Sequence, residues 1–179
     1  MGISKKVVSL SMCVAIFCVL LCGCAPKSDM VTMEDINKMF AENSELFTET
    51  AHLVSTFDGY VKDDVPVKGT MYFIFENNEV VPYMYDTKVD YKISKKAYEK
   101  LYTCFVLMDS IVNKEYDEDE YYLSIGYSET LDETKVDFEF SDTTKEFTQN
   151  LSFSEDNLCD YPGGKKLDEN WFYWCWSWI

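Results

Sequence analysis

The sequence predicts an α+β domain in which two amphipathic helices pack on an antiparallel β-sheet, the sheet meandering in its C-terminal half. Three observations lead there. Apolar residues recur at helical spacing in two separate stretches, near 33–56 and 94–113. Short runs rich in aromatic and β-branched residues, separated by polar turns, fill most of the remainder. With 179 residues, 47% of them hydrophobic, the chain is long enough to bury one ordinary core.

The first 24 residues stand apart. Lys5 and Lys6 form a basic start, Val7 to Leu21 an apolar run, and Leu21-Cys22-Gly23-Cys24 closes it with a small residue before a cysteine. The run is about 15 residues long, whereas a transmembrane helix needs about 20. The pattern resembles a bacterial lipoprotein signal peptide with its lipobox. The resemblance implies lipidation of the Cys24 thiol, cleavage between Gly23 and Cys24, and a membrane anchor on the extracytoplasmic face. Residues 1–23 are then the signal, 24–31 a short tether and 32–179 a single domain. Two or more acyl chains hold a protein stably where one does not.

Thr32-Met33-Glu34-Asp35 reads as a capping box, with threonine at the N-cap and an acid three residues on. Ile36, Met39, Phe40, Leu46, Phe47, Ala51, Leu53, Val54 and Phe57 then give a helical stripe, predicting a helix over 33–56 ended by Asp58-Gly59. Strands are expected at 70–76 and 79–86, joined by an Asn77-Asn78 turn, with Pro82 marking an edge or a bulge. Alternation of Val89, Tyr91 and Ile93 predicts another strand over 88–93. Ser94 caps a second helix reaching about 113, whose buried face carries Ala97, Tyr98, Leu101, Cys104, Phe105, Met108, Ile111 and Val112. The final third predicts strands at 120–127, 135–140, 147–153 and 171–178, with a longer loop at Tyr161-Pro162-Gly163-Gly164 before the last. No internal repeat is evident.

All 16 basic residues are lysines against 32 acidic ones. The two lysines of the basic start leave with the signal, so processing takes the formal charge from −16 to −18. Nucleic acid requires a basic footprint that is absent here, and anionic head groups would repel the domain. The missing arginine suits an AT-rich genome and hence a low-GC Gram-positive source.

Motifs that carry chemistry are sparse. His52 is the single histidine, and at about 100° per residue it lies roughly 160° from Ile36 and Val54, on the polar side of its helix. One histidine without a Cys-x-x-Cys pair does not suit a zinc site. Asp117-Glu118-Asp119-Glu120 fails the EF-hand pattern, since Tyr122 stands at the turn glycine and Ser128 at the bidentate acid. No phosphate-cradling glycine loop and no nucleophile elbow occurs. The expectation is a non-catalytic chain with no metal and no cofactor. Of the cysteines left after processing, Cys104 is expected to be buried and unpaired, and Cys159 with Cys175 is the best candidate pair for a disulfide.

The end of the chain is its most distinctive part. Two-residue alternation puts Phe172, Trp174, Trp176 and Trp178 on one face of the last strand and Tyr173, Cys175 and Ser177 on the other. Such a row either packs beneath the helices or stays partly open as a binding face. The area the rings can bury favours the core. The expected function is a lipid-anchored surface protein with a binding or assembly domain, whose protein or glycan ligand the residues do not identify. Two alternatives stay open: a carboxylate-dependent extracellular glycan hydrolase, and an inhibitor or immunity-type protein that engages a basic enzyme.

Overall fold

A computed structural model describes residues 30–56, 61–62, 65–66, 71–84, 87–129, 134–144, 147–155 and 164–177. Cys24 and the signal segment, Phe57, Cys159, the 161–163 turn and Trp178 lie outside the described residues, as does the side chain of Trp176.

Helix α1 spans Met33–Ser55 and α2 Lys95–Ser110. The strands are β1 (Val61–Lys62), β2 (Val65–Pro66), β3 (Met71–Glu76), β4 (Glu79–Met84), β5 (Thr87–Lys88), β6 (Tyr121–Glu129), β7 (Thr134–Asp142), β8 (Phe147–Phe153), β9 (Lys165–Asp168) and β10 (Trp171–Ser177). β1 and β2 form a small hairpin of their own. The other eight make one sheet in the order β5-β4-β3-β6-β7-β8-β10-β9, antiparallel at every pairing. Both helices pack on one face of it, which is the α+β arrangement expected, with the meander β6-β7-β8 at its centre.

Local chemistry sets the element ends. Thr32 Oγ1 accepts from the Asp35 backbone N–H at 3.1 Å and starts α1; Ser94 Oγ accepts from the Ala97 N–H at 3.3 Å and starts α2. The stripe on α1 breaks at Asn43, whose backbone is non-helical (φ −133°, ψ 19°). Its side-chain amide donates to the Met39 carbonyl at 2.9 Å, satisfying an acceptor that the kink would otherwise strand. Asn77 and Asn78 both take positive φ, 51° and 61°, the two-residue turn that matches strand twist and favours asparagine or glycine.

The helix-facing side of the sheet is the core. Phe73, Leu123, Ile125, Phe138, Phe140 and Leu151 are fully buried there against Phe47, Leu101, Phe105 and Met108 of the helices. Phe75 stacks on Phe105 with centroids 5.3 Å apart, and Phe47 meets Phe138 edge-on at 5.1 Å. Cys104 is buried between the helices, and its Sγ contacts Thr50 Oγ1 at 3.3 Å.

Several expectations need correction. The domain begins before residue 32, because Met30 and Val31 are each 1% exposed. The Met30 carbonyl accepts from Asn113 N at 2.8 Å, and the Val31 carbonyl accepts from Gln149 Nε2 at 2.8 Å. Met30 and Val31, expected within a tether over 24–31, are therefore part of the folded domain.

The strand expected over 88–93 is reduced to Thr87–Lys88. Val89 N still donates to the Pro82 carbonyl at 3.0 Å, but Pro82 has no N–H to return, so the ladder stops. β9 occupies what was read as loop, because Lys165-Lys166-Leu167-Asp168 carries little apolar alternation and is held by pairing with β10.

The largest correction concerns β10. Trp171 and Tyr173, not Phe172 and Trp174, lie under the helices. Trp171 touches Phe40, Phe138 and Phe153 at centroid distances of 4.9, 5.6 and 5.2 Å. Tyr173 OH accepts from Gln149 Nε2 at 2.9 Å on the same side. Strand alternation turns Phe172 and Trp174 to the opposite face.

Candidate functional site

The face turned away from the helices is built by alternation in four adjoining strands. β3 places Tyr72, Ile74 and Glu76 there, since Met71, Phe73 and Phe75 point into the core. β6 contributes Tyr122, Ser124 and Gly126, and β7 contributes Lys135, Asp137, Glu139 and Ser141. β4 adds Tyr83, stacked on Tyr72 with centroids 5.7 Å apart and rings inclined by 22°.

Gly126 has a specific part in this surface. It lies opposite Tyr72 in the β3–β6 ladder, and a Cβ there would sit 3.0 Å from Tyr72 Cβ. The missing side chain lets the tyrosine lie close over the neighbouring strand.

Two clefts share Ile74 and Tyr122 as common wall. One, of about 390 Å3, runs over β3, β6 and β7 between Tyr72, Ser124, Gly126, Asp137 and Glu139. The other, of about 580 Å3, continues past Glu76 and the Asn77-Asn78 turn to Asp109, Glu118 and Asp119. Tyr122 is 39% exposed between them.

Tyrosine hydroxyls repeatedly donate to carboxylates around the clefts: Tyr83 to Glu76 at 2.7 Å and Tyr122 to Glu139 at 2.9 Å on this face, and Tyr121 to Asp109 of α2 at 2.7 Å on the helix side. These bonds hold rings and acids in fixed relation. Tyr83 and Tyr121 are also harder to ionise than usual. The bond to Glu76 raises Tyr83 above the usual range, and burial, followed by the bond to Asp109, raises Tyr121.

Trp174 belongs to a closed polar set at the β7–β8–β10 side of this face. Its Nε1 donates to Ser152 Oγ at 2.7 Å, and Ser152 in turn donates to Asp137. Lys135 pairs with Asp137 at 3.2 Å and lies 4.7 Å from the Trp174 ring centroid. Burial pushes the Asp137 carboxyl above its usual range, with Lys135 and Ser152 acting the other way. Phe172 is 6% exposed, with Lys166 Nζ 5.7 Å from its ring centroid. Of the aromatic row read from sequence, Phe172 is therefore buried and Trp174 half-buried and held by partners.

On this face the exposed aromatic surface instead centres on Tyr122 with Tyr72 and Tyr83 beside it, residues the sequence reading passed over; on the helix side Tyr102 of α2, stacked on Tyr98, is also exposed. The signal was present: the same alternation that buries Phe73 and Leu123 turns Tyr72 and Tyr122 outward.

His52 sits on α1 away from both clefts, 3.1 Å from Glu155 and 53% exposed. Cys175 is exposed and free of any disulfide. Among the described residues, no group of three or more histidine, cysteine or acidic side chains could hold a metal ion, and no helix is long and apolar enough to cross a membrane. Asp137 and Glu139, both in the smaller cleft, are each engaged: the first by Lys135 and Ser152, the second by Tyr122 and Ser141. Comparison with protein-family models, curated proteins and solved structures returned no match.

Proposed function

We propose that this chain is a lipid-anchored surface lipoprotein whose domain binds a ligand or partner without catalysis, using the sheet face opposite the helices. The observation that carries the reading is the division of labour between the two faces. One is packed by both helices, and the other holds exposed Tyr122, the Tyr72–Tyr83 stack and the smaller cleft, with the larger cleft continuing from it round the sheet end to Asp109 of α2. Exposed aromatic rings fixed by hydrogen bonds supply contact area at small entropic cost, as binding surfaces require. The glycan-hydrolase alternative asks for two carboxylates free to face a scissile bond, and in the smaller cleft Asp137 and Glu139 are both engaged by other side chains. The anchor rests on the lipobox resemblance at Leu21-Cys22-Gly23-Cys24.

Two experiments test this. Cys24→Ala should leave a larger, unprocessed precursor; processing at Gly23 with unchanged membrane attachment would contradict the anchor. For the face, sedimentation of the full chain with purified Gram-positive cell walls should show binding that the Tyr72→Ala/Tyr122→Ala pair abolishes. Wall binding that persists in that pair would remove this face from consideration.

A further inference from the structure

Within that reading, the chemistry of the two clefts defines what they take. Six carboxylates line them, Glu76, Asp109, Glu118, Asp119, Asp137 and Glu139, and no lysine is in the lining. Among the described residues lysines pair with acids: Lys100 with Glu49, Lys95 with Glu99, and Lys135 with Asp137 at the smaller cleft. Among the described residues the other five cleft carboxylates make no lysine ion pair, although three of them accept a tyrosine hydroxyl. A hydroxyl donor leaves the negative charge in place and occupies one oxygen only. Concentrating unneutralised charge in a concave, partly apolar surface costs self-repulsion, and a cationic occupant would relieve it.

We propose that the paired clefts dock a lysine- or arginine-bearing protein segment, with Tyr122 and Ile74 forming the floor between carboxylate subsites. A basic side chain has an alkyl stem for that floor, a charge for the acids, and affinity for the Tyr122 ring face. Two open clefts separated by one ring suit an extended segment better than a single small amine.

The position of the clefts supplies a second line of support. Met30 is bonded to Asn113, four residues beyond Asp109. Residues 25–29 alone separate Met30 from Cys24, a reach of about 20 Å when extended. The acidic end of the domain therefore lies beside the anchor, where basic segments of neighbouring membrane-attached proteins are within reach.

Fluorescence anisotropy of labelled octalysine with the full-length protein in detergent tests the proposal. Octalysine should bind. The Glu76→Gln/Glu139→Gln pair and Tyr122→Ala should each weaken it by about tenfold or more. Glu34→Gln/Glu42→Gln, which removes the same charge from the exposed side of α1, should change it by less than about twofold. Absence of octalysine binding would overturn the proposal, and so would equal weakening by the two charge pairs. Neutral chitohexaose binding that depends on Tyr122 would overturn the cationic class while leaving the binding face intact, so the two readings fail separately. Far-UV spectra of each variant distinguish lost binding from lost fold.

Discussion

Trp171 and Trp174 stand three residues apart on β10 and have different employment. Trp171 is 3% exposed, is surrounded by Phe40, Phe138 and Phe153, and donates from Nε1 to Thr48 at 3.2 Å. Removing it leaves a cavity under both the transfer loss and the lost packing, so Trp171→Ala should cost about 3–5 kcal/mol in a urea melt. Trp174→Ala, at a half-buried ring on the other face, should cost less than half as much; equal losses would place both rings in the core. Cys104 is tested separately. Burial pushes its thiol up to about 11, so few thiolates form at neutral pH and the group is shielded as well. Alkylation of native protein should label exposed Cys175 quickly and Cys104 only on unfolding. Rapid Cys104 labelling would contradict its burial.

At the scale of elements, legibility followed the strength of local chemistry. Both helices and their caps, the Asn77-Asn78 turn and the strands β6 to β8 declare themselves, because capping residues and apolar periodicity act within a few residues of each other. β9 and the shortening of β5 do not, since each depends on the backbone of a neighbouring strand: β10 for the first, Pro82 of β4 for the second. The candidate site was legible only in part. Alternation along β10 was read correctly, but which of its faces meets the helices depends on the whole sheet and is not written in the strand itself. The β3–β4 turn offers a local test. Asn78 takes a φ of 61°, where a β-branched residue is strained by about 1–2 kcal/mol. Asn78→Val should lower stability by about that amount and Asn78→Gly should not; equal effects would mean the turn is not left-handed.

At the scale of the whole molecule, the core is assembled between one sheet face and two helices, while Asp137 and Glu139 stand on the opposite face. Asp137 gives this a pH signature. Its folded-state pKa is raised, so the native state holds that proton more tightly than the unfolded chain. Its contribution to stability is therefore full below the unfolded value, near 3.8, and is lost as pH rises through the folded one. The stability of Asp137→Asn relative to the parent should accordingly increase with pH from about 4 upward; a flat or falling difference would contradict the raised pKa.

The central claim is that one face of the sheet is structural and the other functional, and oxidative footprinting of the full chain reads both at once. With the free protein, Tyr122 should be modified readily, Tyr72 and Tyr83 more slowly, and Trp171 and Phe138 scarcely at all. On addition of octalysine, Tyr122 should become protected while Trp171 and Phe138 stay unchanged. Modification of Tyr122 at the same rate with and without octalysine, or ready oxidation of Trp171 in the folded protein, would contradict it.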